Sequence, residues 1–249
     1  MPDSFEELSG KQFIGIAELL YNGGDSLECS LKALRILTGL SRIKFRFLGA
    51  EMIDRCIPFI KWVFEEKRIT KQLIPVYKGY YGPVSDFDNL KMKEFHFGER
   101  CYHELVYQKK EEAINPLIAS LYRRAKPVYD KKRDPDGDIR IAFNANELAY
   151  YANKIAWWPD PVKHAIFLWY HDCRRDLIEN NPLVFKEPTD GFESQFDTGL
   201  YGVMRSLAGD KLGTVGMIEE MYVHTAMLEL GLLKEEEQRI EEQTKNQTT

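Results

Sequence analysis

The sequence has few of the features that mark specialised proteins. Its four cysteines stand singly, without a Cys-x-x-Cys pair or a Cys/His cluster, so neither a zinc ribbon nor a disulfide framework is indicated. The acidic start, MPDSFEELSG, has no apolar core of the kind that a signal peptide needs. The longest strongly apolar stretch, residues 165–170, is far shorter than the roughly 20 residues of a membrane span. We therefore expect an intracellular, soluble protein with free thiols.

The chain also has no excess of positive charge. It carries 34 lysines and arginines against 39 aspartates and glutamates, a net charge of -5, so it is not a polycation for nucleic acid as a whole. Hydrophobic residues make up 44% and charged residues 29%, which is an ordinary composition for a folded protein. A chain of 249 residues is long enough to bury a sizeable core. This composition excludes a wholly disordered chain or a collagen.

Familiar catalytic and metal-binding motifs are missing. There is no P-loop, GxGxxG, GxSxG or HExxH pattern and no set of kinase motifs. His164 and His171 are separated by about 10 Å along a helix, too far to share one metal ion without a further element. The acidic residues 134–138 fit no register of a calcium-binding loop. We predict no enzyme activity, no cofactor and no metal site. The alternative is an unrecognised enzyme that uses His103, His164 and His171.

Helical periodicity dominates the rest of the sequence. Ser4 and Glu7 have the spacing of a capping box, and Pro58 predicts a kink or a late start in the third helix. The strongest pattern is a helical hairpin over residues 144–177 that is broken at residues 157–159. Residues 73–81 are typical of a short β-hairpin, whose first strand Pro75 confines to a sheet edge. The predicted fold class is mainly α, an irregular multi-helix domain with at most one short β-hairpin.

Three parts are expected along the chain. Residues 1–75 form an N-terminal helical subdomain, and residues 76–233 form the main helical domain. Residues 234–249, KEEEQRIEEQTKNQTT, contain five acidic and three basic residues and almost no apolar ones. We therefore predict a charged tail at the C-terminus that is partly disordered.

Two groups of residues are candidates for contact with a partner. Trp157 and Trp158 lie at the break in the helical hairpin. We expect at least one of them in the core and leave the position of the other open; an exposed anchor for a partner is one interpretation, because tryptophan is enriched in interface hot spots. Arg123 and Arg124 begin a basic run over residues 123–133, which nearby aspartates partly neutralise. Solvated loop charge is the favoured interpretation of this run, and a nucleic-acid-binding accessory protein is the alternative.

Several short phrases, taken in their order along the chain, resemble one family. They are residues 5–13 (FEELSGKQF), 88–95 (DNLKMKEF), 121–123 (LYR) with Arg140, Phe143 and Asn144, 165–170 (AIFLWY), and 201–209 (YGVMRSLAG) with 225–230 (TAMLEL). Together they resemble tailed-phage and prophage proteins that are encoded near tail genes and are described as tail-assembly-chaperone-like. The chain departs from the pattern at Arg124, where the family has proline, and at Val203, where it has an aromatic residue.

The resemblance implies a helical, non-enzymatic protein that assists phage or prophage assembly or is a minor virion component. It implies other phage structural or tail proteins as partners, with no membrane contact and with nucleic acid as the less favoured partner. The implied location is the cytoplasm of a bacterial host cell or the virion. Arg140 lies in one of the matching phrases, and it joins Arg123, Arg124, Trp157 and Trp158 as a candidate contact residue. The oligomeric state is left open.

Overall fold

A computed structural model describes the chain over residues 2–23, 26–65, 68–130, 132, 137–185, 204–205, 208 and 213–247. Helices dominate these residues, so the predicted mainly α fold is confirmed. The chain divides into two compact units. Unit 1 consists of Met1–Pro75 and Trp157–Cys173, and unit 2 of Val76–Ala156 and Arg174–Thr249.

The helices and strands follow one another in a simple order. The α-helices are α1 (Gly10–Tyr21), α2 (Leu27–Thr38), α3 (Arg42–Arg46), α4 (Ala50–Cys56), α5 (Met92–Val106), α6 (Ile114–Leu121), α7 (Leu148–Ile155), α8 (Asp160–Asn180), α9 (Val215–Glu219) and α10 (Val223–Gln247). The strands are β1 (Val76–Tyr77), β2 (Tyr80–Tyr81) and β3 (Arg123–Arg124). Both helices of the predicted hairpin over residues 144–177 are present, as α7 and α8.

The division into units does not follow the linear order of the chain. The boundary after Pro75 coincides with the predicted one. Residues 157–173, however, group with the N-terminal residues, and the helix α8 therefore belongs partly to each unit. Linear order along a sequence carries no signal that a distant helix packs against the first 75 residues.

In unit 1, the helices α1 and α2 pack against each other. The buried side chains of these two helices are Phe13, Ile16, Ala17, Ala33, Leu34 and Leu37. Ser9 caps α1 in a reciprocal capping box with Gln12. The Nε2 atom of Gln12 also donates to the Leu37 carbonyl oxygen at 3.1 Å, which ties the start of α1 to the end of α2. The predicted box at Ser4 and Glu7 is wrong, because the Ser4 side chain makes no capping bond.

The remaining parts of unit 1 are fixed by proline and by side chains of α8. The helix α4 ends at Cys56, and the chain continues as a 3-10 helix over Ile57–Val63 with Pro58 in its first turn. Trp169 in α8 donates from Nε1 to the carbonyl oxygen of Thr70 at 2.8 Å. The buried Asp172 carboxylate accepts the N–H of Ile69 at 3.0 Å. These bonds hold residues 69–70 beside α8.

In unit 2, the helices α5, α6 and α7 pack together and carry a small three-stranded antiparallel sheet. Strands β1 and β2 form the predicted hairpin, and β1 lies at the sheet edge after Pro75. Lys78 and Gly79 at the turn have φ angles of 48° and 74°, as tight hairpin turns require. The strand β3 pairs with β2 and was not predicted, because its two arginines resemble a basic surface run.

Among the described side chains of the last helix, α10, the buried ones lie near its start. The buried residues of its first turns are Val223, Ala226, Met227 and Leu230. Over residues 231–247, none of the side chains that the structure describes is buried. The helix nevertheless continues to Gln247, through most of the segment predicted as a partly disordered tail. Val203 and most of the phrase at residues 201–209 lie outside the described residues.

Candidate functional site

Two of the predicted contact residues, Arg123 and Arg140, lie inside unit 2 in a cluster with Glu94 and Asp138. Arg140 donates to the Asp138 carboxylate from Nε at 3.0 Å and from Nη2 at 2.8 Å. Arg123 donates from Nη2 to the Glu94 Oε1 atom at 2.9 Å, and the Glu94 Oε2 atom lies 3.3 Å from Arg140. All four residues are buried. We call them the ionic cluster, in which two positive charges face two negative ones.

The guanidinium nitrogens of the ionic cluster are committed to the chain itself. Arg140 donates from Nη1 to the carbonyl oxygen of Leu121 and from Nη2 to that of Asn89, both at 3.0 Å. Arg123 likewise donates from Nε and Nη1 to backbone carbonyl oxygens. Each of the six nitrogens thus bonds to a group of unit 2. The cluster stabilises the region where α5, the end of α6 and residues 138–141 meet, and it is not a contact surface.

The charges in this cluster shift one another's pKa values. Burial alone raises the pKa of Asp138, but the hydrogen bonds and charge of Arg140 outweigh it and hold that pKa below its ordinary value. Burial lowers the pKa of Arg140, and the charges of Glu94 and Asp138 more than compensate, so this pKa is raised. For Arg123, burial and the charge of Arg140 prevail and lower the pKa. Arg140 is therefore the better compensated of the two cations.

The other three candidate residues divide between surface and interior. Trp157 is 86% exposed, whereas Trp158 is buried, so one tryptophan lies in the interior as expected. Arg124 is exposed, lies over the ring of Tyr80 at 4.2 Å, and contacts the carbonyl oxygens of the β1–β2 turn. A partner can therefore reach Trp157 and Arg124.

Burial corrects the prediction for the remaining candidates. Arg123, Arg140 and Trp158 are all removed from the surface, so none of them is a contact residue in this structure. Arg123, the first residue of the basic run over residues 123–133, therefore does not contribute charge to the surface. Lys131, Arg133, Asp134 and Asp136, which complete that run and the acidic turn, lie outside the described residues.

The histidines and cysteines were the candidates for a metal site or for catalysis. No group of three or more histidine, cysteine, aspartate or glutamate side chains there is placed to hold a metal ion. His164 stacks on Tyr21, with ring centroids 3.6 Å apart. His103 lies 3.4 Å from the amide of Gln108. Burial raises the pKa of the Cys101 thiol to about 12, so this group is a thiol and not a thiolate at neutral pH.

A groove runs along the helices α1 and α2 of unit 1, and the sequence did not indicate it. It has a volume of about 890 Å³. Its lining contains the acidic Glu18 and a larger number of apolar and positively charged side chains, among them Leu19, Ile36, Lys11, Lys32, Arg35 and Arg42. Lys32 forms an ion pair with Glu28 at 2.7 Å. Lys11, Arg35 and Arg42 have no ion-pair partner among the described residues. We call this feature the basic groove.

Residues 41–59, which we call the exposed arm, share Arg42 with the basic groove. They contain α3 and α4, and neither of these two described helices has a buried residue. The large apolar side chains of the arm that are exposed are Ile43, Phe47, Met52 and Phe59, of which Phe47 is 85% exposed. The arm carries four basic and two acidic residues. Clustered exposed apolar side chains of this kind mark interaction sites more often than ordinary surface.

Two signals in the sequence point to these features in retrospect. Glu94 lies between the buried Met92 and Phe95, and a charged residue within an apolar face requires a buried partner. In the arm, basic and apolar residues alternate through residues 42–47, RIKFRF. Because consecutive helical residues point about 100° apart, such alternation spreads apolar side chains in directions that no single core can cover.

Comparison of the chain with family models, with curated proteins and with solved structures finds no match. None of the helices in the described residues combines the length and the hydropathy that crossing a bilayer requires. The groove, the arm and the ordered phrases of the sequence are the features that bear on a function.

Proposed function

We propose that this chain is a non-catalytic protein that binds another protein through the basic groove and the exposed arm of unit 1. The observation that carries the proposal is the presence of exposed apolar side chains beside unpaired positive charge. Ile43 and Phe47 are 70% and 85% exposed, and each gains about 1.5–3 kcal/mol when it is fully buried. Lys11, Arg35 and Arg42 add attraction for a negatively charged surface.

The setting that we propose is phage or prophage assembly. It rests on the ordered phrases of the sequence, which supply the class of partner, namely a tail protein or another virion protein. The geometry supports a mode of binding, a helix laid into a groove lined by apolar and charged side chains. The proposed location is accordingly the cytoplasm of the bacterial host or the virion. The nucleic-acid alternative has less support, because Arg123 bonds only within unit 2.

Affinity capture from producing cells tests this function. The tagged chain is compared with the I43S/F47S variant, in which two exposed side chains of the arm are made polar. The matched control is Y107S/V128S, because Tyr107 and Val128 are also exposed but belong to unit 2. Purified particles are examined by mass spectrometry in parallel.

The proposal expects a specific pattern. A virion or tail protein is enriched by the unmodified chain and by the control, and is lost with I43S/F47S. Presence of the chain in particles identifies it as a virion component, and its absence identifies a transient assembly factor. If no virion protein is enriched in either preparation, or if I43S/F47S captures as well as the control, the proposal is wrong.

A further inference from the structure

Tyrosine and basic side chains lie together on the small sheet of unit 2 and on the helix α7 beside it. In the sheet, Tyr80 is paired directly with Tyr77 of β1 and with Arg124 of β3. Directly opposed residues of antiparallel strands point to the same face, so these three side chains share one face of the sheet. The ring of Tyr151 in α7 meets the ring of Tyr80 edge-on, with centroids 6.2 Å apart, and this contact joins α7 to that face.

Each cation in this region lies beside a tyrosine ring. The pairs, with the distance from the charged group to the ring centroid, are Lys78 with Tyr77 at 5.7 Å, Arg124 with Tyr80 at 4.2 Å and Lys154 with Tyr150 at 5.3 Å. The rings of Tyr150 and Tyr151 are also in contact, with centroids 5.3 Å apart, so the pair on α7 continues the sheet face. We call these three pairs, together with Tyr151, the tyrosine surface.

The tyrosine surface presents positive charge and an aromatic ring to solvent. Its three cations are exposed, and Tyr150 is 60% exposed. None of the three cations has an ion-pair partner among the described residues. The carboxylate of Glu147 also lies at this surface, where it bonds to Tyr151 and accepts from the Asn144 amide at 3.1 Å. Three cations beside one carboxylate leave the surface positive, in a chain whose net charge is -5.

The pairing of each cation with a ring favours a ligand that has a negative charge and a flat ring in every repeating unit. A nucleotide of a single strand is such a unit, because its phosphate attracts a cation and its base stacks on an aromatic ring or on a guanidinium plane. An acidic peptide or an anionic lipid surface supplies the charge but has no ring for each charge. A duplex supplies phosphates, but its bases are already stacked on one another.

We propose that the tyrosine surface of unit 2 binds single-stranded nucleic acid. The exposed ring of Tyr150 stacks on a base, and Lys78, Arg124 and Lys154 contact phosphates. Every base has a flat face, so this binding tolerates many sequences. The inference goes beyond the proposed function, because it concerns the other unit and another class of partner. It does not use the buried Arg123, which bonds only within unit 2.

The test measures binding of the full chain to a fluorescein-labelled single strand of about 20 thymidines, by fluorescence anisotropy at several salt concentrations. Two variants change the tyrosine surface, and two are matched controls at exposed side chains elsewhere in unit 2. The surface variants are Y150A and K78Q/K154Q, and the controls are Y107A and K109Q/K110Q. Tyr107 is 63% exposed, which matches the exposure of Tyr150. Thermal unfolding confirms that every variant is folded.

We expect the unmodified chain and both controls to bind the strand. The logarithm of the binding constant should fall with the logarithm of the salt concentration at a slope of about -2, since each of three neutralised phosphates contributes about -0.7. K78Q/K154Q should reduce this slope to about -0.7, because one cation remains. Y150A should weaken binding about tenfold and leave the slope unchanged, because the tyrosine contributes stacking but no charge.

Any of three results overturns this inference. The first is an unmodified chain that does not bind the strand at low salt, and the second is a Y150A variant that binds as tightly as Y107A. The third is displacement of the labelled strand by polyglutamate, or by a duplex of the same length, as effective as displacement by the unlabelled strand. This third result would mean that charge alone attracts the ligand. The capture assay of the proposed function changes residues of unit 1, so either proposal can fail without the other.

Discussion

Replacing Arg140 with methionine should be among the most destabilising single changes in unit 2. Methionine keeps much of the side-chain volume but removes the cation that donates to Asp138 at 2.8–3.0 Å and lies 3.3 Å from Glu94. Arg123 then faces two buried carboxylates alone. Breaking a buried ion pair by removing one partner costs about 3–5 kcal/mol, because the remaining charge is uncompensated.

The cost is measured by thermal and denaturant unfolding. For a unit of this size, about 2–4 °C of Tm is lost per kcal/mol, so the R140M variant should melt on the order of 10 °C below the unmodified chain. R124M is the matched control, since Arg124 is exposed and its contact with Tyr80 is worth about 0.5–1 kcal/mol. The double variant D138N/R140M should recover part of the loss, because it removes one charge of each sign.

Either of two results would contradict charge compensation in the ionic cluster. If the free energies of unfolding of R140M and R124M differ by less than about 1 kcal/mol, the charges of the cluster do not compensate one another as its geometry implies. If D138N/R140M is destabilised by the sum of the two single changes, the two side chains are not coupled. The slope of the free energy of unfolding against denaturant concentration should be the same for all variants, because this shows that each unfolds between the same two states.

Three further predictions concern particular groups. The pKa of Asp138 is lowered in the folded chain. The stabilisation that the ionised Asp138 contributes is therefore complete above the unfolded pKa of about 3.9 and is lost as the pH falls through the lower folded pKa. In acid unfolding experiments below about pH 4, the difference in free energy of unfolding between the unmodified chain and R140M should therefore decrease. Ser9→Ala removes the capping box with Gln12 and should cost about 1 kcal/mol in urea unfolding. Gly79→Ala places a Cβ at a φ of 74° and 2.8 Å from an Arg124 nitrogen, so a melting curve should show a loss of about 1 kcal/mol or more.

Local patterns predicted most of the secondary structure, because they report local physics. The change from α-helix to 3-10 helix next to Pro58 and the edge position of β1 after Pro75 fit the missing N–H of proline. The capping box was placed at Ser4 instead of Ser9, since both serines have a suitable partner three residues later. The strand β3 is not predictable from the sequence, because two residues are too few to show an alternating pattern.

The candidate site was less predictable, because charge pairing depends on contacts that are distant in sequence. Arg123 bonds to Glu94, which lies 29 residues earlier, and nothing in the local sequence distinguishes it from the exposed Arg124 beside it. The two tryptophans at the helix break differ in the same way, since one is buried and its neighbour is exposed. The basic groove combines residues of α1, α2 and the loop after α2, and no single window of sequence contains them.

The arginines of this chain therefore act in two physical situations that need separate measurements. Arg123 and Arg140 are buried and bonded through every guanidinium nitrogen, so changing them alters the free energy of unfolding. Arg35 and Arg42 line a groove and have no ion-pair partner among the described residues, so changing them should leave folding nearly intact and, under the proposed function, should weaken binding. In a capture assay alone, both kinds of variant would show reduced capture of a partner, one because folding is impaired and the other because the binding surface is changed. Only a variant that loses binding at an unchanged melting temperature identifies the contact surface.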